Sequence, residues 1–134
     1  MLTLVEQDNL RIVGLLYDAF GAGDLETVKS HLDPGVELHE AASLPFGGSY
    51  IGYDQVLVGI GNVLGTWESA ESSLQFLTVG GDWVVAYVEM DVTTKKNRKR
   101  LRFQISEMWR LRNGKVVEIR PLYSDTHLIR SAVD

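Results

Sequence analysis

Two glutamates lie in strand-like segments whose other alternate residues are apolar. Glu40 follows Val36 and Leu38 at every second position, so these three side chains share one face of a strand. Glu107 occupies the same kind of position within the alternation of residues 101–111. An ionised carboxyl group in an apolar interior is costly and tends to be neutralised by a pKa shift, which suits it to general acid–base work. These two residues are the first candidates for proton transfer.

An arginine is predicted to lie opposite the second glutamate. Asn113-Gly114 is a strong signal for a type I′ hairpin turn, because both central residues of that turn need a positive φ. A two-residue loop places Arg112 opposite Lys115, so directly opposed residues have numbers that sum to 227. Glu107 then faces Arg120 within an apolar face. Two interpretations stay open, a cross-strand ion pair that only fixes the register and a ligand site.

The same register defines a predicted pocket wall. Large apolar side chains alternate along both strands of this hairpin, and helices are expected to close the space beside them. The residues assigned to this wall are Phe103, Ile105, Trp109 and Leu122. Asp91 joins the same face only if the loop around residues 95–99 has an odd number of residues, which the sequence does not decide.

These residues suggest a mechanism and a competing interpretation. In the mechanism, Glu40 is the general base on a proton or a water molecule, and Glu107 is the second acid. Arg120 orients Glu107 or stabilises developing negative charge. The competing interpretation is a non-catalytic module in which the Glu107–Arg120 pair only fixes the sheet. Whether the protein is an enzyme is left open by the sequence.

The elements that position these residues are segregated along the chain, which indicates an α+β domain. Capping signals and helical periodicity predict three helices, and alternation with turn signals predicts one early strand and four late ones. The predicted helices span residues 4–20, 25–32 and 53–64; the strands span 36–40, 72–79, 83–94, 100–112 and 115–124; residues 43–50 form a loop. Gly59 and Gly61 each cost the third helix about 1 kcal/mol relative to alanine, so either a neighbour packs closely or the segment is mobile.

Composition limits the remaining possibilities. A chain of 134 residues with 45% apolar residues fits a single domain over residues 1–134. The net charge of −5 argues against nucleic-acid binding, and the absence of cysteine excludes thiolate metal sites and fits a reducing compartment. The three histidines have no i, i+4 spacing, so neither a metal nor a cofactor is expected. With no apolar run of membrane-spanning length, the expected location is cytoplasmic.

The order of elements, with a few short motifs, resembles the SnoaL-like branch of the nuclear transport factor two-like superfamily. The motifs are His39-Glu40, the loop Ser43-Leu44-Pro45-Phe46-Gly47-Gly48, Gly52 before the third helix, and Asn113-Gly114-Lys115-Val116-Val117-Glu118. The resemblance implies a cone-shaped, curved antiparallel sheet wrapped around helices, as in cystatin-like folds. It also implies a homodimer, which the mixed outer face of the sheet favours.

The resemblance implies chemistry as well. Members isomerise, cyclise, dehydrate or hydrolyse small apolar substrates that carry a carbonyl group or an epoxide. The isomerase base corresponds to Glu40, and Tyr17 and Glu107 correspond to the oxyanion hole. The cyclase acid corresponds to Pro121, which cannot transfer a proton. Asp125 resembles a residue that often closes the last strand, so Tyr17 and Asp125 complete the predicted pocket.

Overall fold

Four helices lie on or beside one sheet in the computed structural model, which describes residues 1–134. The helix α1 (Leu4–Gly21) begins at a reciprocal cap, in which Thr3 accepts the Glu6 N–H at 3.0 Å and Glu6 accepts the Thr3 N–H at 2.9 Å. The others are α2 (Leu25–Ser30), α3 (Tyr53–Gly65) and α4 (Thr126–Val133). None of the four has both the length and the apolar character that a membrane crossing requires.

Six strands form one curved mixed sheet in the order β2-β1-β6-β5-β4-β3. Their bounds are β1 (Leu32–Glu40), β2 (Gly48–Ile51), β3 (Trp67–Gly80), β4 (Trp83–Thr94), β5 (Arg100–Arg112) and β6 (Lys115–Tyr123). The α+β prediction is confirmed, but the sheet is not wholly antiparallel. After the β3 to β6 meander the chain returns beside β1 in the same direction, so β1 and β6 pair in parallel.

Several predicted boundaries move for local reasons. The strand β1 begins at Leu32 rather than Val36, because a register shift between Leu32 and Glu37 accommodates the turn-forming residues 33–35 within the strand. Part of the predicted loop over residues 43–50 is β2, which pairs with the end of β1. The strand β3 extends back to Trp67 through its pairing with β4. The helix α4 occupies a tail to which no element was assigned.

Two apolar clusters form the core. The larger one joins α1, α2 and α3 to the sheet and includes Leu16, Val56 and Trp109. The smaller one packs Ile129 of α4 against Phe103 and Ile105 of β5. Since Glu107 lies on β5 between Ile105 and Trp109, its carboxyl group sits where the two clusters meet.

The β5–β6 hairpin begins in the predicted register and then departs from it. Asn113 and Gly114 have φ values of 51° and 75°, as a type I′ turn requires, and Arg112 lies opposite Lys115. Beyond Leu111–Val116 the register shifts, so that opposed residues sum to 228. The cause is a bulge: Val116 and Val117 are adjacent, yet both are buried, at 0% and 6% exposure.

The bulge overturns the predicted pairing of Glu107 with Arg120. Beyond it every side chain of β6 changes face, because side chains alternate with a period of two. Glu107 therefore lies opposite Pro121, and Arg120 lies opposite Met108 on the outer face. Leu122 also faces outward and is 52% exposed.

The two helical glycines differ in their surroundings, which generates a paired prediction. A Cβ atom on Gly59 would lie 2.8 Å from Cγ of Tyr50 and 3.0 Å from Cδ2 of Leu38, whereas one on Gly61 meets nothing within 4 Å. We expect Gly59→Ala to destabilise the fold by about 1–3 kcal/mol through overpacking. Gly61→Ala should stabilise it by about 0.5–1 kcal/mol through reduced chain entropy in the unfolded state. Urea denaturation of the two variants checks this, and equal effects of the same sign would contradict it.

Candidate active site

A chain of hydrogen bonds with a fixed direction ends on Glu107. The indole N–H of Trp109 donates to the hydroxyl oxygen of Tyr17 at 3.0 Å. The Tyr17 hydroxyl donates in turn to Oε1 of Glu107 at 2.5 Å, and the Tyr17 and Trp109 rings pack edge to face with centroids 5.7 Å apart. An indole N–H can only donate, so the phenol oxygen accepts from Trp109 and its one proton is donated to the Glu107 carboxylate. Oε1 of Glu107 is therefore an acceptor.

Glu40 is the second interior carboxyl group, and it is incompletely partnered. It is the last residue of β1, it lies opposite Gly48 of β2, and only 7% of its surface is exposed. Its Oε1 is buried and has no hydrogen-bond partner in the protein. A buried polar atom without a partner costs roughly 1–3 kcal/mol, so this oxygen is poised to bond a group that the protein does not supply.

The pKa values of both carboxyl groups are raised. Burial raises the pKa of Glu40 to about 8, the charge of Glu107 adds to that rise, and the nearby Tyr123 hydroxyl partly offsets it. Burial also raises the pKa of Glu107, an effect that the hydrogen bond from Tyr17 opposes. No cation contributes to either shift.

Only Glu107 receives the phenol proton of Tyr17, and its negative charge then disfavours ionisation of Glu40. Glu40 therefore remains a carboxylic acid up to about pH 8, and the donor on Glu107 favours its carboxylate form. An acid that keeps its proton and a carboxyl group with a donor for its negative charge lie on the same interior side of the sheet, which is an arrangement suited to proton transfer.

Two tyrosines complete the polar lining. Burial and the neighbouring Glu107 raise the pKa of Tyr17, and burial with Glu40 and Glu107 raises the pKa of Tyr123. Both phenols consequently keep their protons. The predicted register, in which Leu122 faces inward, would place its neighbour Tyr123 on the outer face; the bulge turns Tyr123 inward, opposite Ile105. The adjacent apolar pair Val116-Val117 was the sequence signal that could have revealed this.

The structure brings most of the predicted interior residues together. Phe103, Ile105 and Trp109 are buried on the inner face of β5, with exposures of 2%, 4% and 4%. Tyr17 of α1 reaches Glu107 on that face. Their part in binding a ligand stays a prediction.

Four predicted site residues lie elsewhere. Arg120 and Leu122 point outward because of the bulge, and Arg120 is bound to Glu118 at 2.8 Å. Burial would raise the pKa of Glu118, but hydrogen bonds from Arg120 and Arg110 hold it below its usual range. Asp91 also lies on the outer face and not in the predicted pocket, because the β4–β5 register pairs it with Arg102.

Asp125 has a structural role in place of the predicted lining role. It is exposed, and its side chain accepts the N–H of Leu128 at 2.9 Å, so it caps the first turn of α4. Asp91, on the outer face, forms an ion pair with Arg100 at 2.8 Å. No group of three or more histidine, aspartate or glutamate side chains is arranged to ligate a metal ion.

Comparisons with known proteins agree with this architecture. The family model of the SnoaL-like domain matches residues 13–119. An NTF2-like protein from Burkholderia thailandensis E264 is 25% identical, with a TM-score of 0.85 over 94% of this chain and 97% of that one. A candidate SnoaL-like polyketide cyclase from Jannaschia sp. CCS1 is 18% identical, with a TM-score of 0.81 over 92% and 90%.

A third structure has the same fold. It is a protein of unknown function with a cystatin-like fold from Xanthomonas campestris, 23% identical, with a TM-score of 0.76 over 88% of this chain and 92% of that one. No functionally curated protein matches the sequence.

The directed chain on Glu107 predicts the effect of Tyr17→Phe. Losing the phenol donor removes the one interaction that favours the ionised form of Glu107, so its pKa should rise further. Carboxyl ¹³C NMR titration measures this. Tyr53→Phe is the matched control, because the Tyr53 hydroxyl donates to the Leu32 backbone oxygen. An unchanged or lower Glu107 pKa in Tyr17→Phe would count against the chain.

The raised pKa of Glu40 predicts how stability varies with pH. Its folded value of about 8 exceeds the ordinary value of 4.5, so between these values the folded state holds more protons than the unfolded state. The free energy of unfolding contributed by this group is therefore full below about pH 4.5 and declines as pH rises towards 8. Between pH 5 and 9 we expect the free energy of unfolding of Glu40→Gln to fall less than that of the wild type, by on the order of 2–4 kcal/mol. Urea denaturation across that range checks it, and parallel curves would contradict it.

Proposed function

The chain belongs to the SnoaL-like domain family, and we propose that it holds a small, largely apolar molecule against the inner face of the sheet and moves a proton on it. The observation that carries the proposal is the interior pair of Glu40 and Glu107, which has raised pKa values and no cation between its members. Substrates that carry a carbonyl group or an epoxide suit such a pair, because each needs one group to donate a proton and another to accept one.

The geometry supports roles that differ from those expected from the sequence. Glu107, whose ionised form accepts the hydrogen bond from Tyr17, is the base in this proposal. Glu40, which keeps its proton to about pH 8, is the acid. Arg120 cannot orient Glu107, because it lies on the other face of the sheet.

For a β,γ-unsaturated ketone the proposed steps balance as follows. The Glu107 carboxylate takes a proton from the carbon between the carbonyl group and the double bond. The carbonyl oxygen gains negative charge as the dienolate forms, and the Glu40 acid stabilises that charge with a hydrogen bond through its unpartnered end. Glu107 then returns the proton to the γ carbon, which gives the conjugated ketone and restores both groups. Tyr17 holds Glu107 throughout as a positioning residue.

A test compares substitutions at the two interior glutamates with one on the outer side of β1. Isomerisation of a β,γ-unsaturated cyclohexenone, followed by absorbance of the conjugated product, should slow by about 100- to 10,000-fold in Glu107→Gln. Glu40→Gln should slow it less, because an amide still donates a hydrogen bond. Glu37→Gln is the control, since Glu37 contacts His39 and is not part of the interior pair. The rate in the wild type should fall above about pH 8 as Glu40 loses its proton.

The same experiment distinguishes the competing function. A protein that binds the ketone, as seen by protein NMR, but does not turn it over at any pH would be a binding module of this fold. Equal rates in the wild type and Glu107→Gln would remove the catalytic proposal.

A homodimer through the sheet is part of the proposal as well. Its supporting observation is an outward row that crosses four strands, in which Phe76 stacks on Tyr87 at 5.3 Å and Leu122 lies beyond Ser106. Phe76 lies on the edge strand β3 and is 53% exposed, so a large apolar side chain on the outer face is left uncovered by the chain itself.

A further inference from the structure

The sheet has a gap between β1 and β6. The two strands pair as far as Leu38 and Ile119, and beyond that point β1 pairs only with β2 and β6 only with β5. Residues 39–41 and 120–123 therefore face each other without ladder hydrogen bonds. A pocket of about 250 Å³ occupies this place.

Pro121 accounts for the separation of the strands. Ser124 donates its backbone N–H to Gln104 across the β5–β6 hairpin, and backbone groups alternate in direction along an antiparallel strand. The nitrogen of residue 121 consequently points away from β5, towards β1. Proline has no N–H, so the donor that would continue the β1–β6 ladder is missing at this position.

The lining of the gap joins the outer face to the interior. Its lining side chains are His39, Glu40, Ala41, Arg120, Pro121, Leu122, Tyr123 and Thr126. Glu40 is buried, with 7% of its surface exposed, and it carries the unpartnered oxygen. At the outer rim, both ring nitrogens of His39 are engaged, by Glu37 at 2.9 Å and by Ser49 at 2.8 Å.

Arg120 is the one permanently charged side chain in this lining. It is 46% exposed, and Glu118 contacts its Nε and one terminal nitrogen, at 2.9 Å and 2.8 Å. Its other terminal nitrogen makes no hydrogen bond within the protein and can donate two. A guanidinium group at the outer end, an acid at the inner end and apolar surface from Ala41, Pro121 and Leu122 match one chemical class, a small organic acid with an apolar body.

We propose that the gap between β1 and β6 is a binding site for a small carboxylate, which the guanidinium of Arg120 holds at the outer rim and the carboxyl group of Glu40 meets at the inner one. The site shares Glu40 with the proposed proton transfer, on which it borders, but it does not include Glu107. It gives the interior carboxyl pair a lateral approach through the sheet. It does not require that the protein turn anything over.

The test uses benzoate, with benzamide as its neutral counterpart of the same shape. Protein NMR titration should show benzoate shifting the signals of residues 39–41 and 120–123, and benzamide binding at least about tenfold more weakly. Arg120→Gln should weaken benzoate binding about tenfold, and Arg120→Lys should restore part of it. Arg102→Gln is the matched control, because Arg102 is also on the outer face but contacts Glu89 and Asp91. Thermal denaturation confirms that each variant is folded.

The outcomes separate this site from the proposed catalysis. Glu107→Gln should lose turnover and still bind benzoate within about threefold of the wild type. Equal binding of benzoate and benzamide, equal effects of Arg120→Gln and Arg102→Gln, or no binding at all would each overturn the proposal. The mass of the protein is measured in the same samples, because the site requires Arg120 to stay accessible in the proposed homodimer. A dimer that binds no benzoate contradicts this site.

Discussion

Two carboxyl groups without a cation are the constraint on which the interior of this protein depends. Burying two ionised glutamates together costs several kcal/mol for each ion, so one carboxyl group of the pair keeps its proton. The other receives a hydrogen bond of fixed direction. The order Trp109, Tyr17, Glu107 fixes where the charge is held. Glu40 has only the nearby Tyr123 hydroxyl, which partly offsets the rise in pKa that burial beside that charge causes. The asymmetry of the pair is thus set by α1 and β5 together.

Both core clusters contribute to the position of Glu107. Trp109 belongs to the larger cluster, and Ile105 and Phe103 belong to the smaller one, with Glu107 between them on the same strand. Packing on both sides fixes the strand position of Glu107, while α1 carries the tyrosine that reaches it. A polar group held at the junction of two apolar clusters is well oriented, and its surroundings keep its local dielectric low.

The sequence predicted the α+β architecture, the turn at Asn113-Gly114 and the inward direction of Glu40 and Glu107, because these follow from local alternation and turn chemistry. It did not predict Arg120, Leu122 or Tyr123 correctly, because a single bulge residue, Val117, reverses every side chain that follows it. A two-residue turn fixes the register only as far as the ladder stays regular. Asp91 depended in the same way on a loop whose length its residues do not determine. The parallel return of β6 beside β1 is a long-range pairing that no local pattern contains.

Pro121 ties access and chemistry to one position. It faces Glu107 across the hairpin, at the place where the cyclase-like pattern carries an acid, and its missing N–H keeps β1 and β6 apart. Any other residue there would restore a ladder donor along with its side chain. A substitution that places a third proton-transfer group opposite Glu107 therefore also supplies an N–H that favours closing the gap between β1 and β6. Access through the sheet and an acid at position 121 are thus coupled through one residue.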